Sequence, residues 1–261
     1  MPAVPVRRLP FAPTETSVLA IIPARYHSTR FPGKALADLD GRSMIEHVYR
    51  RATSAQLVHH TIIATDDERI VEAVTQFGGD VVRTRDDHCS ATDRVAEVVS
   101  ALPCRVIVNV QGDEPLIEPA AIDAAVRPLI EDSSLEMTTL SRPATAADMA
   151  SPHVVKVVCN RRGRAMYFSR APIPWDRDGQ GVAGIARAHV GLYAYRRDVL
   201  LRMAQLPPAV LEQIERLEQL RALDAGIDIA VIDTDHDSPG VDTPADLAFV
   251  RQRLLADAAR R

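Results

Sequence analysis

Residues 18–34 read VLAIIPARYHSTRFPGK, and this stretch decides the fold. Its apolar start, Val18 to Ile22, is stopped by a proline, which is typical of a buried strand in a parallel sheet. The loop that follows carries three cations, Arg25, Arg30 and Lys34, beside a glycine and two hydroxyl side chains. Fixed charges and free backbone N–H groups directly after a strand favour binding of a triphosphate. The loop lacks the GxxxxGK[ST] pattern of a Walker loop, and its charges alone also fit a solvated basic turn.

Strands and helices alternate along the residues that follow. The pattern predicts strands at Val18–Ile22, Thr61–Ala64, Asp80–Arg83 and Arg105–Val110, and helices at Ser43–Ala55, Glu68–Phe77 and Asp93–Ala101. This alternation predicts an α/β fold with a mostly parallel sheet and helices on both of its faces. Ligands of such sheets bind where strands end and loops begin, so the polar loops after these strands are expected to form the site.

The second half of the chain is less regular. We predict strands at Val154–Cys159, Ala165–Phe168, Val190–Tyr195 and Asp228–Ile232, and helices at Pro207–Ala225 and Pro244–Ala259. Within the first of these helices, glutamates recur every three residues, and we expect Glu212 and Glu215 to lie on a solvated face. The glycine-rich stretch from Asp176 to Ala186 is the best candidate for a mobile loop.

The sequence contains no clear linker between two domains. Residues 18–261 are therefore predicted to form a single domain. The preceding Met1–Ser17 contains four prolines and no apolar run. It is expected to be a flexible tail rather than a signal peptide.

Composition excludes several classes of protein. The chain has 261 residues and a net charge of −4, whereas a general nucleic-acid binder carries a basic surplus. Its three cysteines, Cys89, Cys104 and Cys159, form no CxxC pair, so we do not expect a disulfide framework. Unpaired cysteines are typical of the reducing cytoplasm, and we expect the protein to be located there. No stretch reaches the roughly 18 to 20 apolar residues that are needed to cross a membrane.

Two acidic turns are candidates for a metal site. In VNVQGDEP, residues 108–115, Asp113 follows a predicted buried strand and is expected to point into the site. In PGVDTPAD, Asp242 lies just before the last predicted helix, which Thr243 is expected to cap. Mg²⁺ usually takes one or two carboxylates plus substrate phosphates. Asp113 and Asp242 are therefore candidate Mg²⁺ ligands if the fold brings them together, although each could serve only its own turn.

Seven stretches, taken in order, resemble the motifs of the CMP-Kdo synthetase family, the 3-deoxy-manno-octulosonate cytidylyltransferases. They are PARYxSTRxPGK at Pro23–Lys34, HxSxTxR at His88–Arg94, VNVQGDEP at Val108–Pro115, YFSRxxIPW at Tyr167–Trp175, HxGxYxYR at His189–Arg196, LExxExLEQLR at Leu211–Arg221 and GVDTPxD at Gly240–Asp246. The resemblance covers roughly Val18 to Val250. A single QGDEP turn would be less specific, because related sugar nucleotidyltransferases carry similar acidic turns.

The resemblance implies a Rossmann-like, GT-A-type nucleotidyltransferase fold. It implies a mostly parallel central sheet and a smaller sugar-binding and dimerisation part at about residues 151–205. The implied reaction uses CTP and Mg²⁺, joins CMP to 3-deoxy-D-manno-octulosonate (Kdo) and releases pyrophosphate. The product, CMP-Kdo, serves the inner core of lipopolysaccharide. A homodimer with CTP and Kdo as small-molecule substrates is also implied, with no nucleic acid and no membrane insertion.

The resemblance also implies roles for individual residues. The triphosphate is expected to bind Arg25, Ser28, Arg30 and Lys34. The cytosine is expected to lie near Ser90, Thr92 and Arg94. The metal is expected to bind Asp113, which also counts as a nucleotide contact, and Asp242. The sugar acid is expected to be surrounded by Gln111, Arg170, His189, Tyr193, Glu218 and Gln219. The catalytic candidates are Arg25, Lys34, Asp113 and Asp242.

Two positions in the second motif depart from the family pattern. The family often has glycine between the serine and threonine of the second motif, and this chain has Ala91, followed by Asp93 in place of glutamate. A methyl group at Ala91 could crowd the base if the backbone passes close to it. The pyrimidine contacts are therefore less firmly predicted than the phosphate contacts.

Three other functions stay open at this point. A related nucleotidyltransferase could use another sugar acid or a sugar phosphate. A nucleotide-sensing protein could use the same fold without catalysis, although it would not need both Asp113 and Asp242. A glycosyltransferase could also share the fold, but the basic loop from Arg25 to Lys34 favours a triphosphate substrate.

Overall fold

The computed structural model describes residues 10–28, 31–88, 90–179, 181–182 and 185–258. The chain divides into two compact units, one of Met1–Asp123 with Asp237–Arg261 and one of Ala124–His236. The prediction of a single domain over residues 18–261 stays a prediction. Part of the predicted tail, residues 1–9, lies outside the described residues, while Phe11 stacks its ring on that of His60 at 3.7 Å.

The strands and helices are as follows. The strands are β1 (Val18–Ala24), β2 (Asp38–Leu39), β3 (Arg42–Ser43), β4 (His60–Thr65), β5 (Val81–Arg83), β6 (Val106–Asn109), β7 (Met137–Pro143), β8 (Lys156–Cys159), β9 (Ala165–Ser169), β10 (Arg187–Arg196) and β11 (Ile229–Asp233). The α-helices are α1 (Met44–Thr53), α2 (Glu68–Gln76), α3 (Ala91–Ser100), α4 (Pro119–Glu131), α5 (Ala146–Ala150), α6 (Arg197–Met203), α7 (Val210–Glu215), α8 (Gln219–Asp224) and α9 (Pro244–Ala258), and a 3₁₀ turn covers Lys34–Leu36.

The first unit is built on four parallel strands in the order β6-β1-β4-β5. The central strand β1 is the apolar run of the sequence, and its residues from Val18 to Ile22 are at most 1% exposed. It continues two residues beyond the predicted end, so Ala24 still pairs with Thr65. Because the strands are parallel, the loops after β1, β4, β5 and β6 leave from the same edge of this sheet. The predicted α/β fold with parallel strands is confirmed.

The second unit contains a mixed sheet in which β7 lies between β11 and β10. The β11–β7 pair is parallel, whereas β10 pairs antiparallel with both β7 and β8. The strand β9 completes this part by pairing antiparallel with β8. The register of β10 on β7 shifts between Val190 and Tyr193, which is an irregularity of the kind that re-aims side chains. Residues 180, 183 and 184 of the loop predicted to be mobile lie outside the described residues, so its mobility stays a prediction.

The prediction of one continuous helix over Pro207–Ala225 is wrong. The chain forms α7 and α8 there, separated at Arg216, whose φ of 57° is left-handed and ends α7. The break lets Arg221 of α8 donate from Nε to the Glu212 carboxylate at 2.8 Å, and both side chains are 9% exposed. Glu212 is therefore not on a solvated face but forms a buried ion pair within this unit.

No helix among the described residues is both long enough and apolar enough to span a membrane.

Candidate functional site

The loop after β1 begins with an anchored arginine. Arg25 is exposed, yet its Nη2 donates to the carbonyl oxygen of His88 at 2.5 Å and lies 3.4 Å from that of Ser90. The hydroxyl of Ser28 accepts from the backbone N–H of Phe31 at 3.4 Å, so this side chain helps to shape the turn. Thr29 and Arg30 lie outside the described residues, so the predicted phosphate contact of Arg30 stays a prediction.

Gly33 closes this loop. Its φ is +71°, a left-handed conformation that favours glycine, and its N–H donates to the Tyr26 carbonyl at 2.9 Å. A Cβ at Gly33 would approach the Tyr26 ring to 3.2 Å. The Arg69 guanidinium covers the same ring, with its Cζ 3.3 Å from the ring centroid. The closed loop presents Lys34 as the first residue of the 3₁₀ turn.

The acidic turn after β6 packs directly against the end of β1. A Cβ at Gly112 would lie only 2.8 Å from the Pro23 carbonyl oxygen, so a residue with a side chain would force the two backbones apart. Glycine thus permits the close approach of this turn to the start of the loop after β1. Asp113 follows immediately and reaches Lys34.

The ammonium group of Lys34 is shared by two carboxylates. Its Nζ lies 2.6 Å from Oδ2 of Asp113 and 3.2 Å from Oδ1 of Asp242, and it donates to the Val241 carbonyl at 3.1 Å. The backbone N–H of Val241 donates in turn to the Asp113 carbonyl at 2.8 Å. Asp113 and Asp242 are 129 residues apart in sequence (242 − 113), and the fold brings both onto one cation.

An apolar cluster lies beside these residues in sequence and holds their segments together. It contains the buried Leu39, Met44, Leu116, Val241 and Val250, with Phe31, Leu247 and Leu254 packed against it. Phe31 belongs to the loop after β1, Leu116 follows the acidic turn, and Val241 directly precedes Asp242. Burial of each large apolar side chain contributes about 1.5–3 kcal/mol. The hydrophobic effect therefore joins the three segments that carry the charged groups.

The start of α9 fixes the backbone around Asp242. Thr243 and Asp246 form a reciprocal cap, in which the Asp246 carboxylate accepts from the backbone N–H of Thr243 at 2.8 Å and the Thr243 hydroxyl accepts from that of Asp246 at 3.2 Å. The same carboxylate accepts from the backbone N–H of Asp242 at 3.1 Å. The predicted capping by Thr243 is confirmed, and the cap does not use the Asp242 carboxylate.

Charge at this site is balanced by burial and pairing. Burial by itself would lower the pKa of Lys34, but Asp113 and Asp242 outweigh it, so the pKa is raised above its ordinary value. Burial, reinforced by the negative charge of Asp113, raises the pKa of Glu114 to about 8. At neutral pH Lys34 is charged and Glu114 is largely protonated, so the two aspartates supply the negative charge around the ammonium group.

The two aspartates form a donor set that fits a hard divalent cation. They already share one positive charge, the Lys34 ammonium group, through oxygen atoms at 2.6 and 3.2 Å. In the described part of the chain, no group of three or more His, Cys, Asp and Glu side chains could hold a metal. Two carboxylates completed by substrate phosphates are the usual ligands of Mg²⁺, which needs no cage made only of protein.

The predicted cytosine segment is the first turn of α3. The Ser90 hydroxyl caps the helix by accepting from the backbone N–H of Asp93 at 3.1 Å. Thr92 and Arg94 are 3% and 0% exposed. Arg94 lies 3.1 Å from the Asp66 carboxylate at the end of β4. These side chains thus serve the helix and its surroundings, and their predicted contact with the base stays a prediction.

In the second unit, His189 is held as a neutral imidazole. Burial lowers its pKa to about 3. Its Nε2 lies 2.8 Å from the Thr139 hydroxyl, which lies 2.9 Å from the Leu192 carbonyl. Because the hydroxyl proton is directed to that carbonyl, the hydroxyl accepts from His189 Nε2–H. The remaining ring nitrogen, Nδ1, is then an acceptor suited to a sugar hydroxyl.

The other predicted sugar-binding residues of this unit lie on β10, directly after β9 and at the start of α8. Tyr193 tilts its ring toward that of His189 at 5.3 Å, and burial raises the pKa of its phenol. Arg170 donates to the carbonyls of Pro152 at 3.1 Å and Glu215 at 2.9 Å. Glu218 precedes α8 as its N-cap, and Gln219 begins the helix with 5% exposure. The sixth predicted residue, Gln111, lies in the first unit, in the turn after β6.

Sequence reasoning missed the residues that hold Arg170 in place. The Glu215 carboxylate accepts from the Ser169 hydroxyl at 2.5 Å and from the Arg170 N–H at 3.0 Å. Lys156, which is 0% exposed, donates to three carbonyls, including that of Arg170 at 2.6 Å. The expectation that Glu215 faces solvent is wrong. The LExxE motif was the sequence signal that could have indicated this role. A glutamate at this spacing fits a buried hydrogen-bonding role as well as a place on a solvated helix face.

Comparison with known proteins places this chain in a family. A family model described as cytidylyltransferase matches residues 19–229. A curated protein of Geobacter sulfurreducens, named 3-deoxy-manno-octulosonate cytidylyltransferase, is 53% identical over 248 residues, covering 91% of this chain and 99% of the relative. A protein of the same name from Geotalea uraniireducens is 54% identical over 247 residues, covering 91% and 98%.

Solved structures agree with this placement. The structure of a CMP:2-keto-3-deoxy-manno-octonic acid synthetase complexed with CTP is 45% identical, with a TM-score of 0.89 over 93% of this chain and 100% of that chain. A 4-diphosphocytidyl-2C-methyl-D-erythritol synthase from Anaerococcus prevotii is 13% identical, with a TM-score of 0.61 over 92% and 99%, and shows the shared fold alone. The resemblance carried by the seven sequence motifs is confirmed. The chain belongs to the cytidylyltransferase family.

Proposed function

We propose that this chain transfers CMP from CTP to Kdo, releasing pyrophosphate and giving CMP-Kdo. The observation that carries the proposal is the likeness, over 93% of the chain, to a synthetase of this product that was solved with CTP. The geometry of the first unit supports it, because a closed basic loop and two carboxylates converge on Lys34. A binding protein without catalytic function would have no need of the second carboxylate.

The reaction forms one bond and breaks one. The anomeric hydroxyl oxygen of Kdo attacks the α-phosphorus of CTP, and the bond from that phosphorus to the bridging oxygen of pyrophosphate breaks. The hydroxyl proton passes to solvent water, and pyrophosphate leaves with the electron pair of the broken phosphorus–oxygen bond. Transfers of this kind depend on alignment and on neutralising charge more than on covalent help from the protein.

The basic loop from Arg25 to Lys34, called the phosphate loop from here on, is proposed to provide the positive charge. Arg25 and Lys34, with Arg30 from the sequence prediction, neutralise the charge that grows on pyrophosphate. Lys34 is suited to this because its raised pKa keeps it fully charged at neutral pH. Ser28 and the N–H groups of the loop add neutral hydrogen bonds. The segment from Ser90 to Arg94 is proposed to lie near the cytosine.

Asp113 and Asp242 are proposed to hold Mg²⁺. When bound, this ion neutralises phosphate charge and polarises the phosphoryl group. The two aspartates would hold it beside the loop, because the N–H of Val241, the residue before Asp242, donates to the Asp113 carbonyl. Their role is to position positive charge between the protein and the triphosphate.

The sugar acid is proposed to contact Gln111, Arg170, His189, Tyr193, Glu218 and Gln219. Recognition by His189 relies on a hydrogen bond and not on charge, because the imidazole is neutral above a pKa of about 3. Arg170 is the cation of this group, and its backbone and side chain are fixed by Glu215. A guanidinium held in this way suits the carboxylate of Kdo.

We also propose a homodimer that works in the cytoplasm and supplies lipopolysaccharide synthesis. The second unit carries large apolar side chains on its surface, with Trp175 80%, Val210 72% and Ile214 72% exposed. Exposed apolar surface can mark a protein–protein contact, and aromatic residues are enriched in such contacts. A second copy of the chain is the proposed occupant.

The substrate specificity gives the direct test of the proposed function. Pyrophosphate release by the purified chain should require CTP, Kdo and Mg²⁺ together. UTP, GTP, sialic acid and hexose 1-phosphates should give kcat/KM values at least about 100-fold lower, because a site built to hydrogen-bond its substrate rejects analogues strongly. Faster turnover with a hexose 1-phosphate or with another sugar acid would assign the chain to a different nucleotidyltransferase.

The metal proposal predicts a non-additive pair of variants. Asp113→Asn and Asp242→Asn should each lower kcat by about 10²- to 10³-fold, the usual loss for one electrostatic contact. The double variant should be little worse than either single one, because groups acting as a unit are not additive. Activity is measured against Mg²⁺ concentration, with Asp38→Asn, an exposed carboxylate of the same unit, as the matched control.

Two results would contradict the shared metal site. The first is a normal rate and a normal Mg²⁺ response in either single variant, which would mean that the aspartate replaced in it has only a structural role. The double variant could instead lose the product of the two single effects, which would mean that the aspartates act independently.

The sugar proposal predicts a change confined to one substrate. Tyr193→Phe should raise the KM for Kdo by about 5- to 100-fold, since loss of a desolvated hydrogen-bond partner costs about 1–3 kcal/mol. The KM for CTP should change less than about 2-fold on this account. Tyr195→Phe, which removes a hydroxyl two residues further along β10, is the control. Equal increases in both KM values for Tyr193→Phe would make Tyr193 a structural residue.

A further inference from the structure

A buried carboxylate on α3 is not explained by the proposed contacts with substrate. Glu97 is 9% exposed, and its Oε2 accepts from the backbone N–H of Arg85 at 3.1 Å. The same oxygen is paired with Nε2 of His88, whose side chain is 5% exposed. Glu97 thus binds two points on the connection between β5 and α3.

A second side chain of the same helix holds this connection. Arg94, one turn before Glu97, donates from Nη1 to the Thr84 hydroxyl and lies 3.3 Å from the Arg85 carbonyl. The N–H and the C=O of Arg85 are therefore both bound by side chains of α3. A connection tied at both backbone groups of one residue has little freedom to shift, because a shift would take a hydrogen-bond partner from the buried side chain of Glu97 or Arg94.

The connection in turn anchors the first arginine of the phosphate loop. The carbonyl of His88 accepts from Arg25 Nη2 at 2.5 Å. Arg25 is exposed, so its long side chain would otherwise sample many rotamers. Among the described residues, Arg25 Nε and Nη1 have no hydrogen-bond partner, and they are available to phosphate oxygens.

We propose that Glu97 is a positioning residue for Arg25, acting through His88. By fixing the His88 side chain, Glu97 fixes the carbonyl that aims the guanidinium. The inference rests on the proposed function, in which Arg25 binds the triphosphate of CTP. Glu97 itself touches no substrate, and its effect is to order Arg25 before CTP arrives.

The expected effect follows from the cost of ordering a side chain during binding. Glu97→Ala should raise the KM for CTP by about 2- to 10-fold, which is the cost of immobilising one rotamer-rich side chain. The KM for Kdo should stay unchanged. Glu97→Gln should recover most of the CTP affinity, because its amide oxygen can accept from both the Arg85 N–H and the N–H of His88 at Nε2.

A matched control separates positioning from general loss of stability. Asp148 is a comparably buried carboxylate of the second unit, which accepts from Arg142 at 2.7 Å and from the Thr145 N–H at 2.8 Å. Asp148→Ala should lower the melting temperature as Glu97→Ala does, but it should leave the KM for CTP unchanged. If Glu97→Ala does not fold, His88→Ala takes its place, since it removes the same anchor and keeps the bond from Arg85 to Glu97.

The decisive experiment is a double-mutant cycle on CTP binding, measured by calorimetry. In an Arg25→Ala background, Glu97→Ala should have no further effect on CTP affinity, because the group that it positions is absent. A full-sized effect in that background, or equal losses for CTP and Kdo, would overturn the inference. If Glu97→Ala binds CTP as wild type does, the inference alone fails. If wild type binds no CTP, the proposed function fails as well.

Discussion

The sharing of one ammonium group by two carboxylates is the interaction on which the site depends. Lys34 comes from the first loop of the chain, Asp113 from the turn after β6 and Asp242 from the segment before α9. Their ion pairs are 2.6 and 3.2 Å long, and all three side chains are less than half exposed. Pairs of this kind add little to stability when exposed to water. Under the proposed function, their importance lies in placing both signs of charge where the triphosphate and a cation are expected to bind.

The charges do not bring these segments together by themselves. The apolar cluster that contains Phe31, Leu116 and Val241 brings them together. Each of these three residues lies within three positions of a site residue or in the same loop. The close approach at Gly112 then sets the distance between the acidic turn and the end of β1. Burial of apolar surface thus determines where the charged groups sit, and the charged groups determine what can bind.

Much of the first unit could be predicted from the sequence. The apolar run of β1, the alternation of strands and helices and the cap at Thr243 follow from local rules on burial, periodicity and hydrogen bonding. The basic loop and the two aspartates could be selected as site candidates. Their meeting on one cation could not be derived, because no local rule relates residues 129 positions apart.

The second unit was harder to predict because its determinants are buried polar contacts. The break at Arg216 has no glycine or proline to mark it, and it is stabilised by the Glu212–Arg221 pair. Glu215 and Lys156 look like solvent-facing residues in a sequence, yet both bind backbone groups around Arg170. Charged residues are seldom fully buried unless they are paired, and their partners cannot be identified from the sequence before the fold is known.

Under the proposed function, Lys34 and its two aspartates form the binding site for the triphosphate. The most direct measurement is the dissociation constant of CTP for wild type and Lys34→Met, with Mg²⁺ and with a chelator. The account predicts roughly 10- to 100-fold weaker binding, the equivalent of one charged hydrogen bond. The loss should be larger in the chelator, where the two aspartates repel the phosphates unopposed. Equal CTP affinity for Lys34→Met and wild type under both conditions would contradict the account.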